Sequence, residues 1–363
     1  MKKLIIRRRL LLMLFLPGGM LVFWITSIAP VLAEAYSNYI FKPISIVMST
    51  IIGILPFSLA ELLIVSGIIL IIYLGIRAFK KAEKSFVARR NAIINYGINL
   101  LITASIAYFA YVILWGINFN RTEFSKIAGL NVSPATQTEL TQLCVNLIAR
   151  ANAIRANVKE NKDGVMELST SINDTIKRAN IGYENIVKDY PQLRGYYGNA
   201  KKVFFSGAMS YTGVVGMYFP FTFEANINTQ NTAMDIPESI CHEMAHQRGF
   251  SREDDANFIS FLTCINHPDA DFQYSGTVTA LIYSMNKLFE YNPDKYNELS
   301  NTYCDGVARD FGEMRKHWEA YQGPVTEISQ TVNDTYLKAN KQEEGIRSYG
   351  AMVDLLIGWQ RQN

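Results

Sequence analysis

The chain has 363 residues, of which 49% are hydrophobic and 18% are charged, and its net charge is +3. This composition excludes a collagen-like, low-complexity or largely disordered chain. The small net charge argues against a dedicated nucleic-acid-binding protein, because such proteins carry a clear basic excess. The charge is divided unevenly, since residues 1–120 carry 12 basic and 3 acidic side chains and the rest of the chain carries 23 and 29. The resulting net charges of +9 and −6 indicate two parts of different character.

Three apolar runs predict membrane-spanning helices over residues 10–33, 62–79 and 92–115. Each run is close to the length of roughly 20 residues that a helix needs to cross a bilayer. Basic residues in short loops stay cytoplasmic, so the N-terminus and the loop between the second and third runs are predicted to be cytoplasmic. This orientation predicts a multi-pass protein of the cell membrane, in contact with the lipid bilayer, that is extracytoplasmic from residue 118 onward. The basic residues of that loop are Arg77, Lys80, Lys81, Lys84, Arg89 and Arg90.

Two features of this first part allow other interpretations. The first run ends in Val31-Leu32-Ala33, which is also typical of a cleavable signal peptide, although its length favours an uncleaved anchor. The apolar stretch Ile44–Leu55 is too short to cross a bilayer and predicts an interfacial or re-entrant segment. A fourth span there would invert the orientation. The favoured division is a transmembrane anchor at 1–117 and an extracytoplasmic domain at 118–363.

The second part is predicted to be mainly helical with a small sheet. Helical spacing of apolar residues predicts helices over Thr138–Val158, Val165–Ala179 and Tyr183–Leu193. Two or three short strands are predicted within Lys202–Asn228, where Gly and Pro separate β-branched and aromatic residues. Beyond them the chain is predicted to be helical nearly to its end. The predicted fold class is therefore mostly α: three transmembrane helices, then a mainly helical α+β domain whose small sheet precedes the helix with the strongest motif.

That motif is His-Glu-x-x-His at residues 242–246. His242 and His246 are four residues apart, so on a helix both imidazoles point to one side and can bind one Zn²⁺ ion. Glu243 is then in position to act as general base for a zinc-activated water. Pro237 suits the first turn of such a helix and Gly249 suits its end. A surface helix with two solvated histidines is the alternative, but the chain has only four histidines and two of them have ligand spacing.

The third zinc ligand is predicted from an acidic cluster that follows the motif. Ser251 and Asp254 form the pattern of a capping box, which would occupy Asp254 with the helix backbone. Glu253 has the longer reach, and Asn257 one turn later is placed to hold a ligand histidine by a hydrogen bond. Glu253 is therefore the predicted ligand and Asp255 is the alternative.

Substrate-binding and oxyanion-binding residues are predicted on either side of the motif. Glu224 and Asn226 lie on the polar face of an alternating strand, and zinc peptidases commonly bind an extended substrate along an edge strand. These two residues are equally compatible with a polar strand surface. A donor to the developing oxyanion is expected downstream, with Tyr274 favoured over His317 and Tyr349.

The sequence resembles two known groups of proteins. Glu253-x-x-Ala256-Asn257, after the two histidines, resembles the gluzincin arrangement of membrane-embedded CAAX-processing and heat-shock-type peptidases, in which Glu supplies the third ligand. The six residues between His246 and Glu253 are fewer than in those families. Nearly the whole chain also resembles a bacterial membrane-protein family catalogued as domain of unknown function 3810, which implies a membrane-bound zincin without an established substrate. The matching segments are Tyr218-Phe-Pro-Phe-Thr-Phe-Glu-Ala-Asn226, Cys241-His-Glu-Met-Ala-His-Gln-Arg-Gly-Phe250, Arg252-Glu-Asp-Asp-Ala-Asn-Phe258, Tyr274-Ser-Gly276 and Val332-Asn-Asp-Thr-Tyr-Leu-Lys-Ala-Asn340.

These observations predict a membrane-anchored zinc metalloendopeptidase. His242, His246 and Glu253 would hold Zn²⁺, Glu243 and Tyr274 would be catalytic, and a peptide or protein would be the substrate. Nucleic acid is not an expected partner, and the oligomeric state is not predicted. One alternative is a non-catalytic membrane sensor or assembly factor with a structural zinc site, which would normally require four protein ligands. Another is a zinc amidase that acts on cell-wall peptide.

Overall fold

The computed structural model describes residues 9, 11–81 and 86–362. The basic residues predicted to orient the chain lie partly outside this range, since residues 1–8 and 82–85 are not described. The first part of the described chain is helical, and a short π-helical stretch, Ser37–Phe41, connects two of its helices. These helices are α1 (Phe15–Ile28), α2 (Pro30–Tyr36), α3 (Lys42–Gly53), α4 (Leu59–Lys81) and α5 (Phe86–Leu114).

The prediction of three long apolar helices is confirmed. In the described part of the chain, Leu11–Ile28, Leu59–Ala78 and Phe86–Leu114 are long and apolar enough to cross a membrane. The first ends at Ile28 rather than at residue 33 because Pro30 begins a new helix. Only 6% of the second is buried within the protein, as expected of a helix that faces lipid. We refer to these three segments as the candidate spans.

The segment between the first two candidate spans packs on the second part of the chain. Ser45 Oγ donates to the Gln247 carbonyl at 2.7 Å, and Ser49 Oγ accepts from the Gly198 N–H at 3.2 Å. Gly198 approaches α3 so closely that a Cβ there would lie 1.9 Å from the Ser49 carbonyl oxygen. The face of this stretch that carries Ser45 and Ser49 therefore packs on protein, whereas Ile44, Val47, Ile51 and Ile54 on the other face are exposed. No described segment forms a fourth candidate span. The domain boundary at residue 117 stays a prediction.

The second part consists of helices around one small sheet. The predicted helix over 138–158 is confirmed as α7, whereas the two predicted over 165–193 are largely one helix, α8, whose buried face continues from Ile176 through Tyr183 to Ile186. Short 3-10 turns cover Gly116–Asn120, Pro191–Leu193 and Gly345–Ala351. The elements are α6 (Phe124–Ile127), α7 (Gln137–Arg155), α8 (Ile172–Ile186), β1 (Lys201–Lys202), α9 (Ser206–Ser210), β2 (Gly216–Phe219), β3 (Glu224–Ile227), α10 (Ile236–Gln247), α11 (Glu253–Ile265), α12 (Ala270–Tyr291), α13 (Pro293–Ser300), α14 (Asp305–Glu319), α15 (Pro324–Ala339) and α16 (Met352–Gln360).

The sheet has the strand order β1-β3-β2, so β3 is its central strand. β1 is parallel to β3, and β2 is antiparallel to it with Met217 opposite Asn226 and Tyr218 opposite Ala225. Helix α10 packs against β2 and β3, and β3 buries Ala225 and Ile227 in the main core. β2 is therefore the edge strand nearest to α10.

The main core lies between α10, α11, α12 and the helices around them. Ile240 and Met244 of α10, Phe258 of α11 and Leu281 of α12 are fully buried. Helix α11, which carries the acidic cluster, is thus enclosed on several sides. This packing fixes the relative position of α10 and α11, on which the candidate site depends.

The contact between α8 and α11 predicts a large cost for one added methyl group. A Cβ at Gly182 of α8 would lie 2.5 Å from the Thr263 carbonyl oxygen of α11. We expect Gly182→Ala to lower the free energy of unfolding by about 1–3 kcal/mol, measured by chemical denaturation, because the helices must separate. Gly312→Ala in α14 is the matched control, because a Cβ there meets nothing within 4 Å and alanine favours a helix. Equal stability of the Gly182 variant and the unmodified protein would contradict this packing.

Candidate metal centre

A tight turn brings α10 and α11 together around the histidine motif. Helix α10 ends at Gln247, and Gly249 has a φ of +83°, a backbone conformation that residues other than glycine rarely adopt. The Gly249 carbonyl accepts a hydrogen bond from the buried Arg121 guanidinium at 2.9 Å. The prediction that Gly249 ends the helix is confirmed. The six-residue connection is consequently long enough to place Glu253, the first residue of α11, opposite the two histidines.

His242, His246 and Glu253 form one buried cluster. One ligand atom from each residue lies within 4.8 Å of the other two. Glu253 Oε2 is 3.1 Å from His242 Nε2 and 3.6 Å from His246 Nε2. Ligand atoms of a tetrahedral zinc site, with bonds near 2.0–2.1 Å, are separated by about 3.4 Å. The spacing and the donor types therefore fit Zn²⁺ with small adjustments of the side chains.

The ring of His246 is fixed from two directions. Its Nδ1 lies 2.6 Å from the Phe250 carbonyl oxygen, which requires Nδ1 to be the protonated nitrogen and leaves the lone pair on Nε2, toward the cluster. Trp115, the first residue after the third candidate span, packs edge-on against the same ring with 5.5 Å between centroids. The cluster accordingly lies next to the end of a candidate span.

Electrostatics within the cluster favour negative charge on Glu253 and positive charge on His242. Burial opposes the charged form of Glu253, but His246 and His242 lower its pKa to about 2. Burial likewise opposes charge on His242, but the hydrogen bond to Glu253 raises its pKa to about 9. Both shifts have the same cause, the attraction between the buried His242 imidazole and the Glu253 carboxylate.

Glu243 lies beside the cluster and is not part of it. Its Oε2 is buried without a hydrogen-bond partner, and burial raises its pKa to about 7. Gly216 of β2 is so close that a Cβ there would lie 2.6 Å from Glu243 Oε1, so a larger residue would displace the Glu243 carboxylate. Glu243 and the three cluster residues line one cavity of about 480 Å³. An unpartnered buried carboxylate that faces a cavity beside a His/His/Glu donor set fits a catalytic zinc site with one open position.

The residues predicted to bind substrate on β3 have a different role, and this prediction is wrong. Glu224 is buried, and its carboxylate accepts hydrogen bonds from the backbone N–H groups of Leu59 and Ala60 at 2.9 and 2.7 Å. Asn226 Oδ1 accepts from Ser58 Oγ at 2.6 Å. Both edges of β3 are paired with other strands, so no substrate strand can be added to it. Its polar face is covered by the first turn of α4. These contacts join the sheet to the second candidate span.

Tyr274 is not at the site, and its predicted catalytic role is therefore wrong. It is fully buried on α12, where its hydroxyl donates to Asp310 Oδ2 at 2.7 Å. Asp310 also accepts from Arg155 Nε at 2.6 Å. His317 is likewise elsewhere, on α14 between Trp318 and Tyr321. Of the three residues considered as oxyanion donors, Tyr349 is the one in the cavity, with its ring 6.5 Å from that of His242.

This location predicts a structural effect for a conservative change of Tyr274. We expect Tyr274→Phe to lower the free energy of unfolding by about 1–3 kcal/mol, because a buried hydrogen bond to a carboxylate is lost. The zinc content should be unchanged, because Asp310 and Arg155 belong to a separate network. Denaturation curves and metal analysis of the same preparation test both expectations. A loss of zinc at unchanged stability would contradict this assignment and would indicate that Tyr274 belongs to the metal site.

The acidic cluster on α11 is only partly as predicted. Asp255 accepts from the Phe124 N–H at 3.0 Å, so it is not available as the alternative third ligand. The capping box is absent, since Asp254 instead pairs with Arg252 at 2.9 Å and Ser251 Oγ has no hydrogen-bond partner. Asn257 donates to the Tyr349 carbonyl at 3.1 Å and so holds the 3-10 turn beside the site rather than a ligand histidine.

Six aromatic residues of the cavity were not predicted as site residues: Tyr111, Trp115, Tyr218, Phe219, Phe221 and Tyr336. Trp115 Nε1 donates to the Tyr336 hydroxyl at 3.0 Å, and Tyr111 donates to Asn340 Oδ1 at 2.8 Å. Tyr218 of β2 packs on Trp115 with 4.6 Å between ring centroids. Aromatic residues at the end of a candidate span are typical of a membrane interface, so their pattern alone does not indicate a site.

The fold and the cluster define a mostly helical protein with three candidate spans, a three-stranded sheet and a buried His/His/Glu group beside a free carboxylate. The chain belongs to the family described as Protein of unknown function (DUF3810), whose model matches residues 36–357. The resemblance to that family is thereby confirmed. No curated protein and no solved structure matches the chain.

Proposed function

We propose that this protein is a membrane-anchored zinc metalloendopeptidase of the zincin type, with the site on the extracytoplasmic side. The observation that carries the proposal is the convergence of His242, His246 and Glu253 beside Glu243, whose free oxygen faces the same cavity. The confirmed candidate spans support the anchor. The orientation in the membrane rests on the basic residues of the loop between the second and third spans.

The chemistry assigned to the site is hydrolysis of a peptide bond. A bound Zn²⁺ would polarise the attacking water and the scissile carbonyl. Glu243 accepts the proton of that water and delivers it to the leaving amine, a role that suits a carboxylate lining the cavity beside the three ligands. Tyr349 replaces Tyr274 as the assigned hydrogen-bond donor to the developing oxyanion, because its ring lies over His242 in the cavity.

The assigned position of the substrate is the free edge of β2 instead of β3. The Asn228 N–H donates to the Val215 carbonyl at 3.1 Å, so these two residues are a hydrogen-bonded pair. In an antiparallel ladder every second residue of a strand bonds to its partner strand, and the residues between them direct their N–H and C=O groups to the other side. The N–H and C=O groups of Gly216 and Tyr218 therefore point away from β3. An extended peptide added along this edge would pass Glu243, which lies against Gly216.

The alternative of a non-catalytic protein with a structural zinc site is less well supported. Structural zinc sites normally have four protein ligands, whereas the cluster found among the described residues has three. Glu243 lines the same cavity as the cluster, and this position suits a base. A cell-wall amidase would use the same residues, and only the choice of substrate distinguishes it.

The experiment that tests the proposal is hydrolysis of casein, an unfolded protein, by the full-length protein in lipid nanodiscs. We expect cleavage with added zinc, loss of cleavage after treatment with a chelator, and recovery when zinc is returned. Cleavage of peptidoglycan stem peptides but not of casein would favour the amidase. No hydrolysis of either substrate by a zinc-loaded preparation would contradict the proposal and favour the structural site.

A further inference from the structure

Helix α15 presents a row of exposed apolar side chains at the rim of the cavity. Val325, Ile328 and Val332 are 54%, 65% and 63% exposed, and their spacing of three and four residues puts them on one face of the helix. Tyr336, four residues further on, lies in the cavity together with Val332. We call Val325, Ile328 and Val332 the α15 stripe. A row of this kind that leads into a cavity is typical of a binding surface rather than of a solvated helix face.

The opposite wall of the cavity is also apolar. It is formed by β2 and the turn that follows, where the rings of Phe219 and Phe221 pack with 5.4 Å between centroids. Met217 and Pro220 belong to the same wall. The β2 wall is thus apolar, whereas on the α15 wall Val332 lies beside Ser329, Asn333 and Tyr336.

Contacts at both ends hold the α15 stripe in place relative to the cluster. Near its N-terminus, Thr326 Oγ1 donates to the Tyr211 carbonyl at 2.9 Å. Near the C-terminus of α15, the Tyr336 hydroxyl accepts a hydrogen bond from Trp115 Nε1, and Trp115 packs on His246. The distance from the stripe to the cluster is therefore set by the fold.

We infer that the substrate is an extended polypeptide segment with apolar side chains, which pairs with β2 through its backbone and packs on the α15 stripe. The inference rests on the proposed function. A polypeptide is favoured over a lipid chain because Gly216 and Tyr218 direct backbone hydrogen-bonding groups to the free edge of β2, and an acyl chain cannot use them. Val332 lines the cavity and Ile328 lies one helical turn farther out on the same face, so these two residues are assigned to contact the apolar side chains of the substrate.

The test compares two synthetic peptides of equal length and identical central sequence. The apolar peptide has Leu and Val at alternate flanking positions, and the polar peptide has Ser and Gln there. Full-length protein in lipid nanodiscs should cleave the apolar peptide with a kcat/KM at least about tenfold higher, which is the effect of a lost methylene contact or more. Ile328→Asp should remove this preference by raising KM for the apolar peptide, with the zinc content unchanged. Val145→Asp, which changes an exposed valine of α7, is the matched control and should keep the preference. If Ile328→Asp does not fold, Ile328→Gln serves for the same comparison.

Binding to the Glu243→Gln variant, followed by fluorescence anisotropy of labelled peptides, separates this inference from the proposed function. Tighter binding of the apolar peptide without cleavage by the unmodified protein would support the stripe as a binding site and contradict the peptidase. Cleavage of both peptides at equal rates, or an unchanged preference in Ile328→Asp, would overturn the inference and leave the peptidase standing. Binding of neither peptide would overturn the inference as well.

Discussion

Replacement of Glu243 by Gln is expected to reduce hydrolysis by about 10²–10⁴-fold, because glutamine cannot accept the proton of the attacking water. The size of the side chain is preserved, so Gly216 and the cavity should be undisturbed. Glu243 is also outside the His/His/Glu cluster, so zinc content should stay at that of the unmodified protein. The measurement is kcat on casein together with metal analysis of the same sample.

A matched control accompanies this variant. Glu184 lies on the exposed face of α8, and Glu184→Gln makes the same chemical change away from the cavity. Its activity should equal that of the unmodified protein. If Glu243→Gln keeps full activity with zinc bound, Glu243 is not the base, and the assigned mechanism is wrong.

Loss of a ligand histidine is expected to remove the metal. In His246→Ala only Glu253 and His242 would remain as ligands. We expect zinc affinity to fall by more than about 100-fold, because loss of a residue that merely hydrogen-bonds to a ligand already lowers metal affinity by about 10–100-fold. Zinc per chain after gel filtration should drop from about one to near zero. His317→Ala is the matched control, since His317 lies on α14 outside the cluster. Retention of zinc in His246→Ala, or its loss in His317→Ala, would contradict the assigned ligand set.

The cluster lies beside the candidate spans, and residues of these helices form part of the site. Trp115 contacts His246 one residue after α5 ends, and Tyr111 in the last turn of α5 lines the cavity. On the other side, Glu224 ties the sheet to the first turn of α4. A site built this way depends on the candidate spans for its shape. We therefore expect the natural substrate to reach the site close to the bilayer surface.

The elements that depend on local pattern could be predicted from the sequence. Three apolar runs gave the candidate spans, and the spacing of His242 and His246 placed both side chains on one side of a single helix. Gly249 indicated the tight turn that brings Glu253 to the histidines. Each of these features follows from spacing along the chain, so no knowledge of distant contacts was needed.

The residues that depend on distant contacts could not be predicted. Alternation along residues 222–228 separates the two faces of a strand, but it does not tell whether the strand lies at the edge or the centre of the sheet, and Glu224 was therefore assigned to the wrong role. Tyr274 and Tyr349 are both downstream tyrosines. Tyr274 is held away from the site by its hydrogen bond from α12 to Asp310 of α14. Tyr349 reaches the site because the last 3-10 turn packs on α11.

Metal analysis and X-ray absorption spectroscopy of the purified full-length protein will show whether His242, His246 and Glu253 bind a catalytic zinc ion. We expect about one zinc per chain, bound by two histidine nitrogens and a carboxylate oxygen at about 2.0–2.2 Å, with one position not filled by the protein. A zinc-free protein that cannot be loaded with zinc, or a zinc ion enclosed by four protein ligands, would contradict it.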